Sequence, residues 1–110
     1  MERNQKLLTD FYSAINLVTD FLSTTKNFED YNADLKTQSA VERQLAIIGE
    51  ALNQLRKLDE QTIEINSAIQ IISFRNRLVH SYDSIDNSVV WAIIKNHLPI
   101  LKEDIKNKLH

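Results

Sequence analysis

Between positions 74 and 82 the sequence concentrates side chains that can act on a phosphodiester. They are Arg75, Asn76, Arg77, His80 and Tyr82. The guanidinium of an arginine offers several donors to a phosphate and stays protonated at physiological pH. A histidine can accept or donate a proton near neutral pH. An arginine and a histidine together are therefore a minimal set of groups for cleaving a phosphodiester without a metal ion.

RNA suits such groups because it carries its own nucleophile, the 2′-hydroxyl. A histidine can deprotonate this hydroxyl, and a second histidine or water can protonate the leaving 5′-oxygen. An arginine stabilises the charge of the phosphorane-like transition state. We predict no metal and no cofactor, because the histidines (His80, His97 and His110) and the carboxylates show no ligand spacing.

The spacing of these residues fits only half of a catalytic site. On an ideal helix Arg75 and His80 are separated by about 140° and about 7.5 Å, so they do not share a face. Asn76 and His80, four positions apart, do share one. A second copy of the chain would complete the site if a two-fold axis brought the same patch of both subunits together. The open alternative is a cluster near a helix C-terminus that complements the helix dipole and has no catalytic role.

For each of several other polar and aromatic residues, the sequence allows two interpretations. Glu42 and Glu50 lie on one side of a predicted helix, and they either form a solvated face or pair with one of the two arginines near the histidine. His97 either joins a site or, as we favour, packs or meets solvent. Trp91 fits a core or interface anchor better than a base-stacking platform. The Tyr82 hydroxyl is either reachable or belongs to a ring that caps the end of the bundle.

The composition predicts one helical, cytoplasmic domain that spans residues 1–110. One Gly and one Pro favour helices joined by short loops, and the absence of Cys excludes disulfides and thiolate chemistry. The N-terminus lacks a signal-peptide pattern, and no apolar run approaches the ~20 residues of a membrane span. Because the net charge is −2, RNA contact would depend on a local patch. Residues 73–80 contain no acid and supply such a patch.

Apolar residues that recur at steps of three and four predict four main helices. Their approximate ranges are 3–26, 38–58, 66 or 67 to 81–84, and 87–109, with loops at 26–32 and 59–64. We therefore expect an all-α, up-and-down bundle, with a short loop after the third helix, which carries the arginine–histidine cluster.

Four residues mark expected helix ends or distortions. Thr37 and Asp86 are the expected N-caps of the second and last helices. Pro99 removes a backbone donor within the last helix, so we expect a kink there. Gly49 lies in mid-helix, where it costs about 1 kcal/mol relative to alanine. It indicates the close approach of another backbone beside the apolar stripe of that helix, which comprises Val41, Leu45, Ile48, Leu52 and Leu55.

The motif Arg75-Asn76-x-x-x-His80-x-Tyr82 resembles the R-x4-H-x-Y motif of the HepT toxins, a DUF86 branch of the HEPN superfamily. Residues 40–51 resemble the second-helix signature of that family, and residues 85–101 resemble its last helix. The resemblance extends from about Gln5 to Leu109, with the three blocks in the family's order.

The resemblance implies a homodimeric helical bundle in which two motifs form one composite cleft. It implies a metal-independent ribonuclease toxin acting on RNA, such as tRNA or mRNA, with Arg75 and His80 in the catalytic positions. Asn76 takes the polar position after the arginine, and Arg77 supports the patch with a further positive charge. The implied partner is a minimal nucleotidyltransferase antitoxin that adds AMP to the motif tyrosine, here Tyr82, so that charge and bulk block RNA.

Two other classes of function compete with a ribonuclease. One is a non-catalytic helical dimer that binds the nucleotidyltransferase and serves as its substrate or regulator. The other is a purely structural helical dimer, which leaves the arginine–histidine–tyrosine motif without a purpose. The intact pair of Arg75 and His80 favours the ribonuclease.

Overall fold

The structure is a computed structural model that describes residues 2–58, 65–80 and 86–108. All elements in these ranges are α-helices, which confirms the predicted all-α class. The helices are α1 (Glu2–Phe21), α2 (Phe28–Asn32), α3 (Leu35–Leu58), α4 (Ile65–His80), α5 (Asn87–Asn96) and α6 (Leu98–Lys108). Helix α3 packs against both α1 and α4, and α6 packs against α1 and α4. The predicted bundle of four main helices corresponds to α1, α3, α4 and the α5–α6 pair.

The first connection differs from the prediction. Helix α1 ends at Phe21 instead of near position 26, and the segment predicted as a loop contains the short helix α2. Asn27 caps α2 by accepting a hydrogen bond of 2.9 Å from the backbone nitrogen of Asp30. Burial of the Tyr31 ring, which is fully buried, holds this single turn against the bundle. A five-residue helix has no apolar repeat, and packing decides its formation.

The predicted N-cap of α3 is wrong by three positions. Helix α3 begins at Leu35, and Thr37 lies inside its first turn. The carboxylate of Asp34 accepts from the Thr37 backbone nitrogen at 3.1 Å and from its hydroxyl at 2.6 Å. A carboxylate at this end also complements the helix dipole. These hydrogen bonds from Thr37 lower the pKa of Asp34.

The last predicted helix is interrupted as its proline requires. Helix α5 begins after Asp86, whose carboxylate accepts from the Ser88 backbone nitrogen at 2.9 Å, so this predicted N-cap is confirmed. It ends at Asn96, and His97 forms a turn before α6. Pro99 thus occupies the first turn of a new helix, where its missing N–H has no intrahelical partner to lose.

The core follows the apolar stripes of the sequence. All five residues of the predicted α3 stripe are completely buried. They meet buried residues from each of the other long helices, such as Phe11, Ile15, Ile71 and Leu101. The 3.6-residue period of α3 therefore places Glu42 and Glu50 off this buried stripe.

None of the helices in the described ranges is long and apolar enough to cross a membrane.

Candidate active site

Helix α4 carries Arg75 at its contact with α3. This contact is possible because the facing residue on α3 is Gly49, which has no side chain. A Cβ atom added to Gly49 would lie 2.6 Å from the Arg75 Cβ and 3.2 Å from the Ile71 carbonyl oxygen. Real Cβ atoms do not approach to 2.6 Å. The predicted close approach at Gly49 is therefore confirmed, and it brings the base of the Arg75 side chain against the α3 backbone.

The Arg75 guanidinium is held by two acceptors. Its Nη2 atom lies 2.7 Å from Oε1 of Glu50, and its Nη1 donates to Oδ1 of Asn76 at 3.1 Å. The second oxygen of Glu50 accepts from Nε2 of Gln54 at 3.2 Å. Of the two interpretations for Glu50, pairing with an arginine is thus the observed one. The Arg75 side chain remains 28% exposed and can still meet a ligand.

An open groove of about 480 Å³ lies beside this ion pair. Its volume falls within the range of roughly 300–1,000 Å³ that is usual for ligand sites. The α3 side chains along it include Glu42, Arg43, Ile47 and Glu50, and Arg75 contributes from α4. Its charged side chains are two arginines and two glutamates, and they lie beside an apolar strip of Ala46 and Ile47. The arginines offer donors that can bind a phosphate.

Glu42 has a different environment from Glu50. Partial burial raises the pKa of the Glu42 carboxyl. Burial likewise raises the pKa of Tyr31, and the negative charge of Glu42 raises it further. The Tyr31 hydroxyl is buried without a hydrogen-bond partner in the described part of the chain. A desolvated carboxyl at the groove favours ligand groups that donate hydrogen bonds, such as ribose hydroxyls or base amino groups.

The remaining motif residues are placed less completely. Arg77 is exposed on α4, and its charge makes a small contribution, after hydrogen bonds from Ser88, to a lowered pKa of Asp86. His80 is the last residue of α4, and its side chain lies outside the described residues. Tyr82 and the predicted loops at 59–64 and after α4 also lie outside them.

His97 and Trp91 belong to the packing of the last helices. The Ser67 hydroxyl and Nδ1 of His97 lie 3.0 Å apart, which ties the α5–α6 turn to the start of α4. Ring centroids of Trp91 and Tyr31 are 5.6 Å apart, and the Nζ of Lys95 lies 4.8 Å from the Trp91 centroid. The favoured interpretations, a packed histidine and an aromatic anchor, agree with these contacts.

Sequence reasoning missed Gln54 and Arg43 as members of this region. Gln54 lies four positions after Glu50, a spacing at which helical side chains meet, so this signal was available. Arg43 precedes Glu50 by seven positions and therefore shares its side of α3. Within the described ranges, no group of three His, Asp or Glu side chains is arranged to hold a metal ion.

Comparisons with known proteins find similarity along most of the chain. The family model for ribonuclease HepT-like proteins matches residues 11–107. A Thermococcus cleftensis protein named as a probable ribonuclease HepT is 35% identical over 103 residues, which are 93% of each chain. Two Methanocaldococcus jannaschii proteins with provisional RNase names are 31% and 29% identical, over 86% of this chain and 78% and 89% of theirs. No solved structure gives a significant match.

Proposed function

Because the chain belongs to the ribonuclease HepT-like family, we propose that it is the metal-independent endoribonuclease toxin of a type II toxin–antitoxin pair. Family membership supports ribonuclease activity. The observation that supports the finer proposal is the partly exposed Arg75, held by Glu50 at the edge of an open groove of about 480 Å³. A buried arginine, or one closed off by packing, would have favoured a structural role instead.

The proposed reaction uses the 2′-hydroxyl of RNA as the nucleophile. His80 takes the hydroxyl proton while the 2′-oxygen forms a bond to phosphorus. The bond from phosphorus to the 5′-oxygen breaks, and a histidine of the second subunit or water gives that oxygen a proton. Arg75 stabilises the added negative charge on the phosphorane oxygens. The products are a 2′,3′-cyclic phosphate and a 5′-hydroxyl.

We further propose that the active form is a homodimer. Arg75 and His80 lie on the same helix, where five positions correspond to about 140° of rotation, so one copy supplies only part of a cleft. The groove also exposes apolar surface, since Ile47 of α3, which lines it together with Arg75 of α4, is 40% exposed. An isologous contact of this face would cover that surface and bring two motifs together.

A nucleotidyltransferase antitoxin is the proposed partner, and AMP addition to Tyr82 is the proposed means of neutralisation. Tyr82 follows His80 by two positions in the sequence. A phosphodiester-linked AMP there would bring negative charge and bulk next to a site that binds phosphate, so RNA would be repelled.

An RNA-cleavage assay in EDTA tests the proposed function. The wild type should cleave tRNA or mRNA, while Arg75→Ala and His80→Ala should each lose about 100-fold or more of the activity, the usual scale for removing an acid–base or charge-stabilising group. Lys106→Ala removes an exposed positive charge on α6 and is the matched control that should retain activity. Circular dichroism checks that each variant is folded.

The same assay separates the ribonuclease from the binding module. A folded wild-type protein that leaves both RNA classes intact from pH 6 to 8 contradicts the ribonuclease. If that inactive protein still binds the nucleotidyltransferase and is modified at Tyr82, it is instead a substrate or regulator of that enzyme.

A further inference from the structure

Four side chains on α3 and α4 form one continuous chain of contacts. Gln54 donates to one oxygen of Glu50, the other oxygen of Glu50 pairs with Arg75, and Arg75 donates to Asn76. Each contact thus restricts the orientation of the side chains that it joins. The Arg75 guanidinium is held between two acceptors that belong to different helices.

The pair of Glu50 and Arg75 is too exposed to be explained by stability. The exposed fractions of the two side chains are 43% and 28%. Ion pairs in contact with water contribute little to folding because both charges are already well solvated. What such a pair does achieve is orientation, because a planar guanidinium bound at one edge has few remaining rotamers.

The contacts leave donors for a substrate. Each terminal nitrogen of an arginine carries two N–H groups. Glu50 engages Nη2 and Asn76 engages Nη1, so these two contacts by themselves leave one N–H on each nitrogen for phosphate oxygens. A guanidinium fixed in this way can bind a phosphate with two donors without first becoming ordered.

We propose that Glu50 is a positioning residue of the ribonuclease, which holds the Arg75 guanidinium ready for the scissile phosphate, with Gln54 fixing the carboxylate from behind. This inference rests on the proposed function. It assigns Glu50 no contact with RNA, so its effect passes entirely through Arg75. The competing role is a counter-ion that occupies Arg75 and must be displaced by RNA.

The two roles predict opposite kinetics. For a positioning role, Glu50→Ala lowers kcat by about 10- to 100-fold, the usual scale for a misplaced catalytic group, while KM changes by about twofold or less because most RNA contacts remain. Glu50→Gln keeps an acceptor at Oε1, and Gln54 can turn its amide oxygen toward the new amide, so this variant should recover most of the activity. A counter-ion role predicts the reverse, with lower KM and undiminished kcat in both variants.

A double-mutant cycle tests whether Glu50 acts through Arg75. In the Arg75→Ala background, Glu50→Ala should cause no further loss of activity, because the group that it positions is gone. Equal losses in both backgrounds overturn the inference. Asp10→Ala is the matched control, since it removes a carboxylate from another exposed ion pair, with Lys6 at 3.2 Å on α1, and should leave kcat unchanged.

A second measurement does not depend on turnover. In nitrogen-15 spectra of the arginine side chains, the Arg75 Nε–H signal, assigned by its loss in Arg75→Lys, should shift and broaden in Glu50→Ala but not in Asp10→Ala. An unchanged signal overturns the inference and leaves the proposed function standing. A wild type that cleaves no RNA overturns the proposed function, and the role of Glu50 in it falls at the same time.

Discussion

At the scale of single residues, Gly49 determines how closely α4 can approach the groove side of α3. Glu50 is the next residue along α3. Because Gly49 has no side chain, Arg75 of α4 has room to reach this part of α3 and pair with Glu50. Glycine at position 49 therefore permits the ion pair between Glu50 and Arg75, although a glycine lowers the intrinsic stability of a helix interior.

Substitution Gly49→Ala should destabilise the protein even though alanine is the better helix former. The gain in helix propensity is about 1 kcal/mol, whereas overpacking a closed contact costs about 1–3 kcal/mol. The Cβ at 2.6 Å must displace the base of Arg75, so activity on RNA should fall as well. Urea unfolding gives the change in free energy.

Ser39→Ala is the control for this prediction. It introduces an alanine at an exposed position of the same helix and should change stability by about 0.5 kcal/mol or less. A Gly49→Ala variant that gains stability would contradict the account of the helix contact.

Contacts between residues on different helices could not be predicted from the sequence. The sequence identified Arg75 and the special position of Gly49, because both signals are local. It left Glu50 with two interpretations, because the register between α3 and α4 depends on packing over 25 positions of chain. The pairing became visible only when both helices were placed.

At the scale of elements, caps and packing decide where helices begin and end. The Asp34 carboxylate, which receives two hydrogen bonds from Thr37, starts α3. Thr37 was a reasonable cap by residue type, but Asp34 is three positions earlier and offers two acceptor oxygens. Helix α2 was missed because Asn27 and the buried Tyr31 define it, without a repeating apolar pattern.

The cap at Asp34 predicts a dependence of stability on pH. Its pKa is lowered below the ordinary value of 3.8. Its contribution to folding is therefore complete above that value and is lost as the pH falls through the lower, folded-state pKa. The Tm of Asp34→Ala should lie below that of the wild type near pH 6, and the difference should shrink as the pH falls below the ordinary value of 3.8.

Thermal melts of both proteins across this pH range, with exposed Glu103→Ala as the control, measure the difference. A gap in Tm that stays constant down to the acid limit would contradict a carboxylate cap at this position.

At the scale of the whole molecule, the groove face of α3 and α4 is the proposed contact between two copies. The long helices and their buried stripes were predictable, because an apolar period of 3.6 residues extends over many turns. The sequence also predicts that the motif-bearing face of one copy meets that of another, and this stays a prediction. The part that α3 adds to this face, such as the exposed Ile47, depends on how α3 and α4 pack together and could not be predicted.

Two matched substitutions test the proposed dimer. Ile47 and Ile100 are exposed to a similar extent, 40% and 48%, but only Ile47 lies at the groove. Ile47→Glu should convert the dimer to monomers and abolish cleavage, because a charge would be buried in the contact. Ile100→Glu should remain dimeric and active. Analytical ultracentrifugation gives the mass, and a monomeric wild type or a dimeric Ile47→Glu would contradict the proposed face.

We propose that Arg75 and His80 cleave RNA by attack of its own 2′-hydroxyl. The decisive measurement is end-group analysis of RNA cut by the wild-type protein in EDTA. The expected products carry 2′,3′-cyclic phosphate and 5′-hydroxyl ends, which should be absent from reactions with His80→Ala. Fragments with 3′-hydroxyl and 5′-phosphate ends, or cleavage that requires a divalent metal ion, would contradict it.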